Sequence, residues 1–222
     1  MNGTPATPVS PSPSPPVAGL LLAAGGGRRL GGRPKALLTY RGRPLVEHAA
    51  RVLRAGGCGP VHVVLGAAAD EVRERAALPG CVLVDNPRWP EGMGGSLRAG
   101  LDSLAGTGAG AALVLLVDQP GIGAAAVARV VAAYRGPYSL VSAAYGGRRG
   151  HPVLFGAGHW AGIAAAAAGD RGARDYLGAR EAEITAVECG DVAEAFDIDT
   201  AEDLWRLEPP SPPPPASPTT SP

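Results

Sequence analysis

The sequence lacks an excess of either charge. Its 222 residues carry 20 Lys+Arg against 20 Asp+Glu. A balanced chain offers no broad basic face to a nucleic-acid backbone or an anionic bilayer, so neither partner is expected. Apolar runs long enough to span a bilayer are absent as well. Prolines stand where the basic and apolar parts of a secretory leader would lie. Cysteine is scarce: Cys58, Cys81 and Cys189 are odd in number and widely separated. That excludes a disulfide framework or a zinc site and suits free thiols in a reducing cytosol, so a cytoplasmic protein is expected. No repeat at a fixed period marks a solenoid.

Glycine and proline are abundant instead, at 33 and 23 residues. The prolines concentrate at the ends. Residues 1–16 and 209–222 are Pro/Ser/Thr tracts without apolar periodicity, which cannot bury a core and read as disordered tails. One domain is expected over residues 17–208. The Ala/Gly/Arg/Pro bias suits a GC-rich genome, and it weakens any motif made only of those residues.

Within that domain, strands are expected at Val17–Ala23, Val61–Leu65, Cys81–Val84, Ala112–Val117 and Tyr138–Ala143. Helices are expected at Pro44–Ala55, Asp70–Leu78, Ser96–Leu104 (with Ser96 at its start), Ala124–Tyr134, around Ala161–Ala168, and at Thr200–Leu207. Strands apolar on both faces and alternating with helices predict an α/β fold: a three-layer, Rossmann-like, mostly parallel sheet with helices on both faces. Tyr145 to Gly190 reads as less regular, an insertion able to wall a pocket.

Leu22 opens the stretch LAAGGGRRLGGRPK, directly behind the first strand. Successive glycines let backbone N–H groups close on phosphate. The phosphate loop GxxxxGK[ST] is excluded, because Ala36 follows Lys35 where a magnesium-binding hydroxyl is required. The dinucleotide fingerprint GxGxxG is excluded because its third glycine is missing. A long cationic loop with Arg28, Arg29 and Lys35 remains, suited to neutralising a leaving pyrophosphate. LVDQP places Asp118 beyond the most apolar strand, where open α/β sheets bind ligands and where a carboxylate beside phosphates can hold Mg²⁺. In DIDTAEDL, Asp197 and Asp199 stand two apart on an extended segment and are expected to share a side. Asp199 is preferred as second metal contact, with Asp197 as the fallback. Glu202 and Asp203 are read as favourable charge in a first helical turn. His48, His62 and His159 have no partners at ligand spacing and receive no role.

LAAGGGRRLGGRPKALL, NPRWPEGMGGSL, DQP, GGRRGHPVLF and GDRGAR together resemble, in order, the nucleotidyltransferases with a Rossmann-like core. They are similar in particular to the group of molybdenum cofactor cytidylyltransferase, molybdenum cofactor guanylyltransferase and the xanthine dehydrogenase maturation branch. The resemblance implies that Leu22, Ala23, Ala24, Gly25, Gly26 and Gly27 line the nucleotide, and that Arg29 and Lys35 hold its phosphates. Asn86, Gly92, Met93 and Ser96 would help read base and ribose. His151, Pro152, Arg171 and Arg174 would border the acceptor, His151 as a substrate-side group and not a general base. Solvated surface arginines remain the competing reading for Arg171 and Arg174. The implied reaction is attack of an acceptor phosphate on the α-phosphorus of an NTP, with Mg²⁺ on Asp118 and Asp199. DQP resembles the cytidylyl branch, which implies CTP and molybdopterin as the pair and a molybdenum hydroxylase apo-enzyme as a partner. GTP, another phosphorylated acceptor, an oxidoreductase on a similar sheet, or a silent accessory protein remain alternatives. The missing third glycine and DQP count against the oxidoreductase, and intact Lys35 and Asp118 against silence.

Overall fold

The computed structural model describes residues 16–207. The Pro-rich stretches expected as tails lie outside the described residues except for Pro16, as does Glu208 at the expected domain end. Among the described residues nine strands form: β1 Val17–Ala23, β2 Thr39–Tyr40, β3 Arg43–Pro44, β4 Val61–Leu65, β5 Cys81–Asp85, β6 Ala111–Leu116, β7 Leu140–Tyr145, β8 Arg148–Gly156 and β9 Ile184–Glu188. The α-helices are α1 Leu45–Ala55, α2 Ala69–Arg75, α3 Met93–Ser103, α4 Ala124–Ala132, α5 Trp160–Ala166 and α6 Arg174–Gly178.

Seven strands make one sheet in the order β5-β4-β1-β6-β8-β7-β9, and β2 and β3 form a separate small ribbon. β1, β4, β5 and β6 run parallel, as do β7 and β9; β8 alone is antiparallel to its neighbours β6 and β7. Alternating residues of β1 divide the core. Leu21 and Ala23 join α1 and α4 on one face. Leu20 and Leu22 join α3 and Ile163 of α5 on the other. This is the expected three-layer, mostly parallel α/β architecture.

Local sequence explains the element ends. Pro44 precedes α1, whose buried stripe is Leu45, Val46, Ala49, Val52 and Leu53. Gly56 follows because α1 ends against α4: a Cβ there would stand 2.3 Å from Val127 Cγ1. Three expectations need correction. Helix α3 begins at Met93, not Ser96, because Gly92 takes φ 106° and the chain turns helical immediately behind it. Ser96 therefore sits inside the first turn and is no cap. The first part of the stretch expected to be less regular, Tyr145 to Gly156, is the turn and return strand of a hairpin: Gly146 and Gly147 turn at φ 58° and 78°, and β8 returns between β6 and β7. The last helix is a 3-10 turn over Ala201–Leu207. It is held by Asp203, whose Oδ2 accepts from the amides of Asp199 and Thr200 and from Thr200 Oγ1.

The chain leaves β1 for β4 and β5 on one side, then crosses back to β6 on the other. The crevice at this reversal, beyond the ends of β1 and β6, is where ligands bind in open α/β sheets.

Candidate active site

Two segments meet at that crevice. One is the glycine–arginine loop after β1. Gly27 takes φ 61°, and a Cβ there would stand 1.9 Å from the Arg33 carbonyl oxygen, so only glycine closes this turn. Its own carbonyl accepts from the amides of Leu30 (2.8 Å) and Gly32 (3.0 Å). Leu30 is buried and anchors the loop, while Arg28 and Arg29 are exposed. Gly25 faces open space, and Gly26 lies against Trp89. Leu22, Ala23 and Ala24 are buried, and the Ala24 carbonyl accepts from Ala67 N. Lys35 opens a second 3-10 turn, Lys35–Leu37, behind the loop.

The other segment follows β6. Lys35 Nζ donates to Asp118 Oδ2 at 2.6 Å and to Asp199 Oδ1 at 2.5 Å. Arg29 Nη1 stands 3.7 Å from Asp199 Oδ2. The Asp118 carbonyl, accepting from Ile198 N at 2.9 Å, stitches the C-terminal segment to the end of β6 and so delivers Asp199. Burial pushes the Asp118 carboxyl above its usual range, against the pull of Lys35. Burial would lower Lys35, but Asp118 and Asp199 beside it hold its pKa above the usual value. Asp197 has a different partner from Asp199, although its carboxylate also acts on Asp118. It accepts from Gln119 Nε2 at 2.8 Å, because the backbone here forms no strand and period-two spacing does not apply.

Whether a divalent ion fits can be judged from these groups. Among the described residues no three His, Cys, Asp or Glu side chains cluster as a cage. A hard cation that keeps waters and shares phosphate oxygens needs only one or two carboxylates. Asp118 and Asp199 supply two, and Asp118 Oδ1 is buried without a hydrogen-bond partner among the described residues. The donor set fits such an ion.

Beside this centre lies a cleft of about 550 Å³. Leu22, Leu97, Val114, Val153 and Phe155 make an apolar floor, and Gln119, Asp197, His151, Arg149, Arg171 and Arg174 a polar rim. His151 is neutral at ordinary pH, since burial pulls its pKa down to about 4. Pro152 is buried behind it and does not line the cleft. Arg171 is paired with Asp175 of α6, and Arg149 with Glu181 at 3.0 Å. Arg149, Gln119 and Asp197 are rim residues that the motifs did not single out for the acceptor. The available signal was the spacing in β8, where Arg149 stands two before His151.

The segment from Asn86 to Ser96 is turned inward. Asn86 and Ser96 are each 5% exposed. Asn86 Nδ2 donates to Ser96 Oγ at 3.0 Å, and its Oδ1 accepts from Arg88 N at 3.1 Å. These side chains shape the loop. Gly92 and Gly94 fasten it to the far wall: a Cβ at Gly92 would stand 2.5 Å from Gly169 C, and one at Gly94 2.6 Å from Ala168 N. Met93 is exposed and reaches the cleft.

A cationic glycine loop beside two carboxylates, next to an open cleft, is an arrangement suited to a nucleotidyltransferase. Comparison with known families agrees: residues 19–184 match the model described as "MobA-like NTP transferase domain", and the chain belongs to that family. It is 44% identical over 200 residues to the nicotine blue oxidoreductase of Paenarthrobacter nicotinovorans, covering 87% of this chain and 97% of the relative. It is 33% identical to the molybdenum cofactor guanylyltransferase of Rhodobacter capsulatus, over 86% of this chain and 95% of the relative. Among solved structures, a homologue of Rv0371c from Mycobacterium sp. strain JC1 superposes with TM-score 0.74 at 33% identity, covering 86% and 94% of the two chains. A manganese complex of Rv0371c from Mycobacterium tuberculosis superposes with TM-score 0.68 at 28% identity, covering 87% and 98%.

Proposed function

We propose that the protein transfers a nucleoside monophosphate from a nucleoside triphosphate to a phosphate-bearing small molecule and releases pyrophosphate. The observation that carries this reading is the Lys35–Asp118–Asp199 centre, set beneath a cationic glycine loop and beside the cleft. The backbone of Gly25 to Gly27 offers N–H groups to the triphosphate. Arg29 and Lys35 neutralise charge on the β- and γ-phosphates as the α-phosphorus–oxygen bond breaks. Asp118 and Asp199 would hold Mg²⁺, which when bound polarises the phosphate oxygens as a Lewis acid. A relative solved as a complex with manganese supports a divalent ion as cofactor. The attacking oxygen belongs to an anionic phosphate, so no protein base has to remove a proton, and neutral His151 serves as a wall of the acceptor cleft. Catalysis is then positioning plus charge.

For the substrates we infer CTP, on the Asp118-Gln119-Pro120 motif, and molybdopterin, with Arg171 and Arg174 toward its phosphate and a molybdenum hydroxylase apo-enzyme receiving the product. The guanylyltransferase relative favours GTP as a second donor. The oxidoreductase relative favours a redox reading of the same fold. One experiment separates these. The protein is incubated with Mg²⁺, molybdopterin and each NTP in turn while pyrophosphate is measured, and NADH and NADPH oxidation is followed in parallel with a redox dye supplied as electron acceptor. Pyrophosphate with CTP is the expected result. Release with GTP alone moves the donor to GTP, and nicotinamide oxidation without pyrophosphate moves the chemistry to redox.

A further inference from the structure

Much of the negative charge at the proposed centre is compensated without any metal. Asp118 and Asp199 bring two negative charges, and Asp197 acts on Asp118 as a third; Lys35, within hydrogen-bond reach of the first two, and the exposed Arg29, 3.7 Å from Asp199, bring two positive ones. The arrangement is enclosed on the lysine side: the Lys35 and Asp118 side chains are 14% and 17% exposed. Coulomb interactions at such a place are screened far less than at the surface. A divalent cation entering alone would leave an excess of positive charge and would have to displace the ammonium from the carboxylates it needs. A cation arriving with a triphosphate brings its own compensating charge and gives the displaced ammonium new acceptors.

We propose that Lys35 is a resident place-holder cation: it fills the space between Asp118 and Asp199, keeps a divalent ion out of the nucleotide-free site, and moves to the phosphates when metal and nucleotide arrive together. This rests on the nucleotidyl-transfer reading, and it adds an order of events. A purely structural lysine needs one carboxylate partner. Lys35 bridges two that stand 83 and 164 residues away in the chain, and these are the two carboxylates that fit the ion. A metal-loaded, nucleotide-free site would then not accumulate.

The test is a Mn²⁺ titration of the full chain without nucleotide or acceptor, free Mn²⁺ being read by electron paramagnetic resonance. Wild type is compared with Lys35→Met, Lys35→Gln and Lys35→Arg. Lys35→Gln keeps hydrogen bonding to both carboxylates and guards against loss of fold in the methionine variant, with thermal melts as the check. Removing the positive charge should tighten Mn²⁺ binding about tenfold or more. Lys35→Arg, which keeps the charge, should bind as weakly as wild type, and adding Asp199→Asn to Lys35→Met should erase the gain. The place-holder is overturned if the neutral variants bind Mn²⁺ no tighter than wild type, or if the arginine variant tightens as they do. Because the titration contains no nucleotide, such a result alongside intact pyrophosphate release rejects the place-holder alone. Absence of pyrophosphate release with every NTP rejects the transferase reading instead.

Discussion

At the scale of single residues, Asp118 and Gly27 carry different kinds of necessity. Asp118 is chemical: one oxygen meets Lys35, the other is buried and unpartnered. Asp118→Asn keeps the shape, and Asp199 still holds Lys35, so the melting temperature should stay within a few degrees. The anionic ligand is gone, and a loss of several kcal/mol of transition-state stabilisation corresponds to roughly a thousandfold drop in turnover. Pyrophosphate release beside a thermal melt reads both, and near-normal turnover would remove Asp118 from the mechanism. Gly27 is conformational. Alanine there needs a left-handed backbone and a Cβ that meets the Arg33 carbonyl, so the loop must open. Gly27→Ala should raise the KM for NTP about tenfold, since the phosphate-facing amides lose register, while global stability falls by only ~1–2 kcal/mol. A KM left at the wild-type value would show that the turn is not part of the nucleotide site.

At the scale of elements, α3 joins the two halves of the site. Its N-terminal glycines touch Gly169 and Ala168. One turn further on, Arg98 donates to the carbonyl oxygens of Ala164 (3.2 Å) and Ala167 (2.6 Å), which α5 leaves without helical partners at its end. The wall carrying Arg171 and Arg174 therefore hangs on α3. Arg98→Ala should cost ~1–3 kcal/mol in urea unfolding, the range for bonds from a charged donor, and should raise the KM for the acceptor more than the KM for NTP. Equal changes in the two constants would mean that α3 supports the whole fold and not the acceptor wall. The same element shows where sequence patterns mislead. A serine before an apolar stripe is a sound helix-start signal, yet Gly92 starts this helix three residues earlier by taking a conformation only glycine favours. Likewise β8 escaped notice because its first half, Arg148 to Pro152, carries charge, glycine and proline, and only Val153–Phe155 reads as a strand.

At the scale of the whole molecule, legibility followed how locally each feature is written. β1 and β4 are readable to the residue: β1 is an unbroken apolar run, β4 is interrupted only by His62, and a small residue or a glycine closes each. Lys35 and Asp118 were readable because a glycine loop and a strand-ending acid each need only their neighbours. The pairing of Lys35 with Asp199, the turn of Asp197 toward Gln119 and the place of Arg149 on the rim depend on the sheet order, which no local window holds. The pH response of stability also belongs to the whole fold, and its largest histidine contribution comes from β8. Burial takes His151 from its ordinary value of 6.5 to about 4, opposed by the nearby Asp197 carboxylate. The folded protein thus binds fewer protons at this site than the unfolded chain between those two values. Stability from this group is complete above pH 6.5 and is lost as pH falls toward 4. Burial lowers His48 and His62 as well, in the same sense, whereas the raised carboxyl of Asp118 acts in the opposite one. Urea midpoints should therefore be flat from pH 8 to about 7 and fall below about 6, with one titrating site supplying at most about 1.4 kcal/mol per pH unit. His151→Asn should make that slope shallower, and an unchanged slope would show that His151 titrates normally in the folded protein. Turnover should not follow the same curve. If His151 were a general base, activity would fall as the ring protonated near pH 4 and the asparagine variant would be inactive. As a neutral wall of the acceptor cleft, it can be replaced with a rise in acceptor KM and little change in kcat at pH 7.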